Sequence, residues 1–120
     1  MDDEGLIEIK FPNYNEIIDE RRILEQKIKN RLNSLESILL DITFPDDTIE
    51  IQKGGHNYRI LNLENNLVIS QNSMQLAFKE LSISNNIVEI KFLLDNADKI
   101  IKRFHENNQR ILTLGKKIVE

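Results

Sequence analysis

Residues 84–119 decide the fold, and they read SNNIVEIKFLLDNADKIIKRFHENNQRILTLGKKIV. Mostly apolar or small side chains recur there in steps of three and four residues, the spacing that aligns one stripe along an α-helix. The stripe consists of Ile87, Ile90, Leu94, Ala97, Ile101, Phe104, Asn108, Ile111, Gly115 and Ile118. The pattern predicts one long helix, beginning with an N-cap at Ser84, whose stripe packs against a partner.

The start of this stretch has a second interpretation. From Val88 to Phe92, apolar and charged side chains alternate, as they do in a strand with one solvent-facing side. Under that interpretation residues 87–93 form a strand and the helix begins near Asp95. Asn108 also allows two interpretations, because an asparagine on an apolar stripe either pairs with the same asparagine of a second copy in a dimer or lies in solvent.

A second helix is predicted near the start of the chain. Leu6–Phe11 alternates as a short strand and is ended by Pro12. Asn13 lies three residues before a glutamate, a variant of the capping box, and we expect a helix from there to about Ile42. Its apolar face consists of Ile17, Leu24, Ile28, Leu32, Leu35, Leu39 and Ile42.

The segment between the two helices is typical of antiparallel strands separated by turn residues. The predicted strands are 48–53, 58–63, 67–70 and 74–83, the last with a competing helical pattern. Together these elements predict a single α+β domain over residues 1–120, in the order β-α-β-β-β(-β)-α. The two long helices bracket a small antiparallel sheet, and they either pack on each other as a hairpin or coiled coil or cover one face of the sheet. Such long apolar seams on a short chain favour a homo-oligomer.

Composition excludes several classes of function. The chain contains no cysteine, which excludes disulfides, thiolate metal sites and cysteine nucleophiles. The net charge of −4 disfavours a general nucleic-acid binder. No apolar run is long enough to span a bilayer, and the acidic first residues do not fit a signal peptide. We therefore expect a cytoplasmic protein without a membrane partner, metal or cofactor.

One group of residues is a candidate for binding an anionic ligand, although an ordinary hairpin turn explains part of it equally well. Two glycines let backbone N–H groups converge on an anion, arginine and histidine add positive charge, and aromatic rings can stack on a base. The candidate residues are Gly54, Gly55, His56, Tyr58, Arg59, Phe78, Arg103 and Arg110.

One group of residues in the sequence is similar to an enzyme signature. Asp46 followed by Glu89-Ile90-Lys91 is similar to a metal-dependent nuclease pattern, in which carboxylates hold Mg²⁺ and the lysine assists water. The long separation of these residues argues against that pattern, and the triplet Glu8-Ile9-Lys10 shows how common it is. We predict a protein that is not an enzyme.

The order helix, β-hairpin, helix over residues 13–119 resembles the architecture of prefoldin subunits. That resemblance implies a chaperone subunit that assembles through small sheets. Our leading hypothesis is a non-enzymatic homo-oligomeric binding or assembly protein. The abundance of asparagine and isoleucine, typical of AT-rich genomes such as those of many phages, motivates another. In it, a phage or mobile-element anti-defence protein sequesters an anionic nucleotide signal or blocks a host complex.

Overall fold

The computed structural model describes residues 13–120, and the predicted strand Leu6–Phe11 lies outside them. The α+β class is confirmed. The described elements are helix α1 (Tyr14–Ile42), strands β1 (Thr48–Lys53), β2 (His56–Leu63), β3 (Asn66–Gln71) and β4 (Met74–Ala77), a short 3₁₀ turn (Phe78–Glu80), and helices α2 (Ile87–Asp95) and α3 (Ala97–Val119). None of these helices is long and apolar enough to cross a membrane.

The chain divides into two compact units, Met1–Asn30 and Arg31–Glu120. The first contains the first half of α1, and the second contains the last turns of α1 and everything after it. The division concerns local packing, so the prediction of a single domain over residues 1–120 is not tested by it.

The strands form one antiparallel sheet in the order β1-β2-β3-β4, so that each strand pairs with its neighbour in sequence. Alternate side chains are buried in β1 and β2, as the sequence pattern predicts, whereas Leu67, Val68 and Ile69 of β3 are all buried. Isoleucines from β1, β2 and β3 share the inner face, where Ile49 pairs with Ile60 and Ile60 with Ile69. The outer face carries a polar row, in which Arg59 lies between Glu50 and Ser70. The sheet therefore has one core face and one largely polar face.

All three hairpins close with two-residue turns whose central residues have positive φ. This is the turn geometry that matches the right-handed twist of a hairpin, and it favours glycine or asparagine. The turn residues are Gly54 and Gly55 (φ 58° and 78°), Glu64 and Asn65 (52° and 67°), and Asn72 and Ser73 (52° and 71°). Only the first turn uses glycine, so the others hold L-residues in a disfavoured conformation.

Replacing Ser73 by glycine is expected to raise the free energy of unfolding by about 0.5–1 kcal/mol, because glycine adopts a φ of 71° without the steric cost of a Cβ. Urea denaturation of both proteins measures the change. Ser37→Gly, in the middle of α1, is the control and should lower stability by about 1 kcal/mol. Equal or lower stability of the Ser73 variant would contradict the assignment of strain to this turn.

The predicted continuous helix over residues 84–119 is wrong in one respect, because a single residue divides it. Asn96 lies between α2 and α3 with φ −114° and ψ 17°, outside the helical region. Its side-chain amide donates to the Phe92 carbonyl oxygen at 2.8 Å, and its Oδ1 accepts a hydrogen bond from Lys53 Nζ at 3.1 Å. These bonds compete with regular helix geometry. The alternative of a strand over residues 87–93 is also wrong, since α2 is helical.

The helix start and the last strand differ from prediction as well. The residue before α2 is Asn86 rather than Ser84, and the Asn86 carboxamide oxygen accepts a hydrogen bond from the Ser82 backbone at 3.1 Å. The predicted strand 74–83 ends at Ala77, after which a 3₁₀ turn begins. Phe78 and Leu81 in this region are buried, which explains the competing helical pattern there.

Polar side chains connect the end of α1 to the sheet and to α3. Asn62 on β2 is fully buried and donates through Nδ2 to Thr43 Oγ1 at 2.9 Å. Thr43 in turn donates to the Leu39 carbonyl oxygen. Asn108 on α3 donates to the Ile42 carbonyl oxygen at 2.6 Å. Asn108 therefore caps the last turn of α1, which neither of its two predicted roles anticipated.

Candidate functional site

The predicted ligand residues lie in three different places. Gly54, Gly55 and His56 belong to the β1–β2 turn and line a small open depression of about 300 Å³. His56 is exposed, and its Nδ1 hydrogen-bonds to the Gln71 side-chain amide at 2.9 Å. The positive φ values of this turn favour glycine, so hairpin geometry alone is enough to explain the pair of glycines.

The two predicted stacking rings lie in the core. Tyr58 is buried and stacks on Phe92 of α2, with ring centroids 3.8 Å apart and planes inclined by 11°. Phe78 is also buried. Neither ring has a free face to offer a base, so the prediction that Tyr58 and Phe78 stack on a ligand does not fit this packing. Of the charged and stacking side chains assigned to nucleotide binding, only the arginines remain candidates for contact with a ligand.

A second depression of about 380 Å³ lies beside the Tyr58 and Phe92 rings. Its rim carries charged groups from the β1–β2 hairpin and from α2. Lys91 donates to Asp95 Oδ2 at 2.7 Å, and this hydrogen bond lowers the pKa of the Asp95 carboxyl and raises the pKa of the Lys91 ammonium. Both groups are exposed, and with their charges mutually satisfied they leave this rim without a free charge from α2.

The remaining predicted residues converge near strand β1. Arg103 and Arg110 lie one heptad apart on α3, which packs against β1. They line an open depression of about 540 Å³, which we call the β1–α3 groove. Its lining consists of Thr48, Ile49 and Glu50 on β1 and of Arg103, Glu106, Asn107 and Arg110 on α3.

Arg59 joins this region from the outer face of the sheet. It donates through Nε and a terminal nitrogen to the same oxygen of Glu50, at 3.2 Å and 2.7 Å. Arg59 and Glu50 lie directly opposite each other across β1 and β2. Glu50 therefore contacts Arg59 and also lines the groove with Arg103 and Arg110, whereas Arg59 itself does not line it.

Sequence reasoning missed Thr48, Glu50 and Asn107. The β1–β2 turn, read as a two-residue turn, would have placed Glu50 opposite Arg59. Asn107 lies four residues after Arg103 and three before Arg110, so it shares their line on a helix. Nothing in the sequence indicates that this line on α3 faces the first residues of β1.

The structure does not arrange the residues of the nuclease pattern as a metal-dependent nuclease site requires. Glu89 and Lys91 lie on helix α2 rather than on a strand. Among residues 13–120, no three acidic or histidine side chains converge in a way that could hold a metal ion. Comparison with family models, with curated proteins and with solved structures finds no match for this chain.

Proposed function

We propose that this chain is a non-enzymatic binding protein whose copies assemble through the apolar stripe of α3. The observation that carries the proposal is a change of burial along one side of α3. Phe104 of the stripe and its neighbour Ile100 are fully buried, whereas Ile111 and Ile118 of the stripe are 48% and 83% exposed, and Leu114 beside them is 53% exposed. The apolar stripe therefore continues for two more helical turns beyond the part of α3 that is buried.

An apolar stripe of this kind is unfavourable in water. Contiguous exposed apolar surface at regular helical spacing is typical of a helix that packs on another helix. Each large aliphatic side chain removed from water contributes about 1.5–3 kcal/mol to association, before the entropic cost of binding. Leu112 and Val119 are exposed on the edge of the same side and widen the surface.

Helix α1 shows the same change of burial within its own length. Leu32, Leu35 and Leu39 are buried, whereas Ile17 and Leu24 on the same side are exposed. Each long helix thus carries its own exposed continuation of a core-facing stripe. Two such stripes on a chain of 120 residues support self-association through helices rather than an isolated monomer.

Ile111→Glu and Ile118→Glu test this proposal. We expect the wild-type protein to sediment as an oligomer and either variant to dissociate it at least about a hundredfold more readily, because burying an unpaired carboxylate in an apolar contact is strongly unfavourable. Sedimentation equilibrium over a range of concentrations measures the change.

Thr113→Glu provides the matched control, since it adds the same charge to the same two turns of α3 on the opposite side. This variant should assemble as the wild type does. A wild-type protein that stays monomeric up to about 0.1 mM, a concentration at which even weak specific dimers form, would overturn the proposal. Equal dissociation of all three variants would overturn it too.

A further inference from the structure

Strand β1 has a free edge. The sheet order places it at one end, and β2 pairs with it on one side over its whole length. Within residues 13–120, no strand pairs with its other side. Along such an edge, every second residue points its N–H and C=O groups away from the sheet.

The first half of this edge, Thr48 to Glu50, lacks the usual protections against strand addition, whereas an inward-pointing charge, Lys53, lies at the other end of the strand and is bound to Asn96. Proteins block free edges with prolines, bulges or inward-pointing charges. The register from Thr48 to Lys53 is one-to-one without a bulge, and no proline occurs in the strand. The Glu50 side chain is held by Arg59 across β2 rather than extended over the edge. The backbone of β1 is therefore regular, and its first half is open to pairing.

The β1–α3 groove runs beside this edge, with α3 as its other wall. Arg103 and Arg110 are separated by about 10 Å along the helix axis, given a rise of 1.5 Å per residue. Side chains on one face of an extended strand recur about every 7 Å, so carboxylates at i and i+2 or at i and i+4 lie within reach of two long arginine side chains held about 10 Å apart. The two arginines therefore suit two positions of one extended segment lying in the groove.

The charges of the groove favour an acidic segment. Its two glutamates are already paired, Glu50 with Arg59 at 2.7 Å and Glu106 with Lys102 at 3.9 Å. Arg103 and Arg110 take part in no ion pair of the described chain, and Arg110 donates only to Asn107 Oδ1, at 3.0 Å. Two guanidinium groups thus remain to bind carboxylates, which they do in bidentate geometry.

We propose that the β1–α3 groove binds an extended acidic segment of a partner protein, which adds to the free edge of β1 as a further strand. Main-chain hydrogen bonds to β1 supply affinity, and Arg103 and Arg110 select carboxylate side chains. This inference goes beyond self-assembly, because it uses a different side of α3 from the stripe of Ile111 and Ile118.

Fluorescence anisotropy with labelled eight-residue peptides tests the proposal. The probe alternates glutamate and valine, and the reference peptide alternates lysine and valine. We expect the acidic peptide to bind and the basic peptide to bind at least about tenfold more weakly, because the groove offers two unpaired guanidinium groups. The titration is repeated on the Ile118→Glu variant, so that a failure of self-assembly and a failure of peptide binding are seen separately.

Further variants and a modified peptide test whether binding occurs in the β1–α3 groove. The double variant Arg103→Ala/Arg110→Ala should weaken binding of the acidic peptide at least about tenfold. Lys27→Ala/Lys116→Ala removes the same charge at exposed positions that do not line the groove, and should leave binding within about threefold, as screened surface charges do. An acidic peptide N-methylated at alternate residues should not bind, because it cannot donate the ladder hydrogen bonds. Absence of binding by the acidic peptide, equal effects of the two double variants, or unchanged binding of the N-methylated peptide would each overturn the proposal.

Discussion

Replacing Asn62 by leucine is expected to lower the free energy of unfolding by about 2–4 kcal/mol, because a buried polar network loses its centre. Asn62 is fully buried, and its Oδ1 accepts a hydrogen bond from the Asn65 backbone at 2.8 Å while its Nδ2 donates to Thr43. Leucine has a similar size but neither donor nor acceptor. The Asn65 N–H would then point at a methyl group.

The backbone of Asn62 adds to this role. It donates to the Asp47 carbonyl oxygen at 2.9 Å and accepts a hydrogen bond from the Asp46 N–H at 2.7 Å. Asn62 thus holds the connection between α1 and β1 with its main chain and the end of α1 with its side chain. We expect the variant to lose cooperativity in this connection as well as overall stability.

Urea denaturation followed by circular dichroism measures the effect. Asn57→Leu is the matched control, since it lies on the same strand but is exposed, and it should change stability by less than about 0.5 kcal/mol. Equal midpoints for the two variants would contradict the network. Asn62→Asp, which keeps the acceptor toward Asn65 but buries an unpaired carboxylate at neutral pH, should be at least as unstable as the leucine variant.

Replacing Phe104 by alanine is expected to lower the free energy of unfolding by about 3–5 kcal/mol. Phe104 is fully buried on α3, next to Ile100 in the same stripe. Removing the ring leaves a cavity where α3 packs on the rest of the unit, and the surrounding side chains can fill it only in part.

Leu112→Ala is the control for this substitution. It removes an apolar side chain from the same helix at a position that is exposed in the single chain, so at protein concentrations too low for self-assembly the stability should change by less than about 1 kcal/mol. Phe104→Leu, which keeps most of the apolar volume, should cost clearly less than alanine. Similar losses for Phe104→Ala and Leu112→Ala in thermal unfolding would show that α3 is not anchored by this ring.

The sheet was largely predictable from the sequence, because its side chains alternate and its turns contain polar residues. Strand β1 matches the prediction over 48–53, and β2 and β3 differ from it by two residues or fewer at their ends. Helix α1 ends at Ile42 as expected. These features depend on local patterns, which a single sequence contains in full.

The remaining differences arise from contacts between residues far apart in the chain. A heptad pattern does not register a one-residue break such as Asn96, whose partner Lys53 lies 43 residues earlier. Asn108 caps the Ile42 carbonyl oxygen 66 residues away, which no local pattern indicates. The same holds for the candidate site. The hairpin that contains Arg59 could be predicted from the local sequence, but the approach of α3 to Thr48 and Glu50 could not.

The three two-residue turns have a consequence for how the chain folds. Every strand pairs with the strand next to it in sequence, so each pairing closes only a very short loop and costs little chain entropy. Hairpins of this kind form within about 1–10 μs. The docking of α3 on β1, by contrast, joins segments about 50 residues apart and closes a much longer loop. We therefore expect the meander to form early in folding, and the β1–α3 groove to form only after α3 docks on β1.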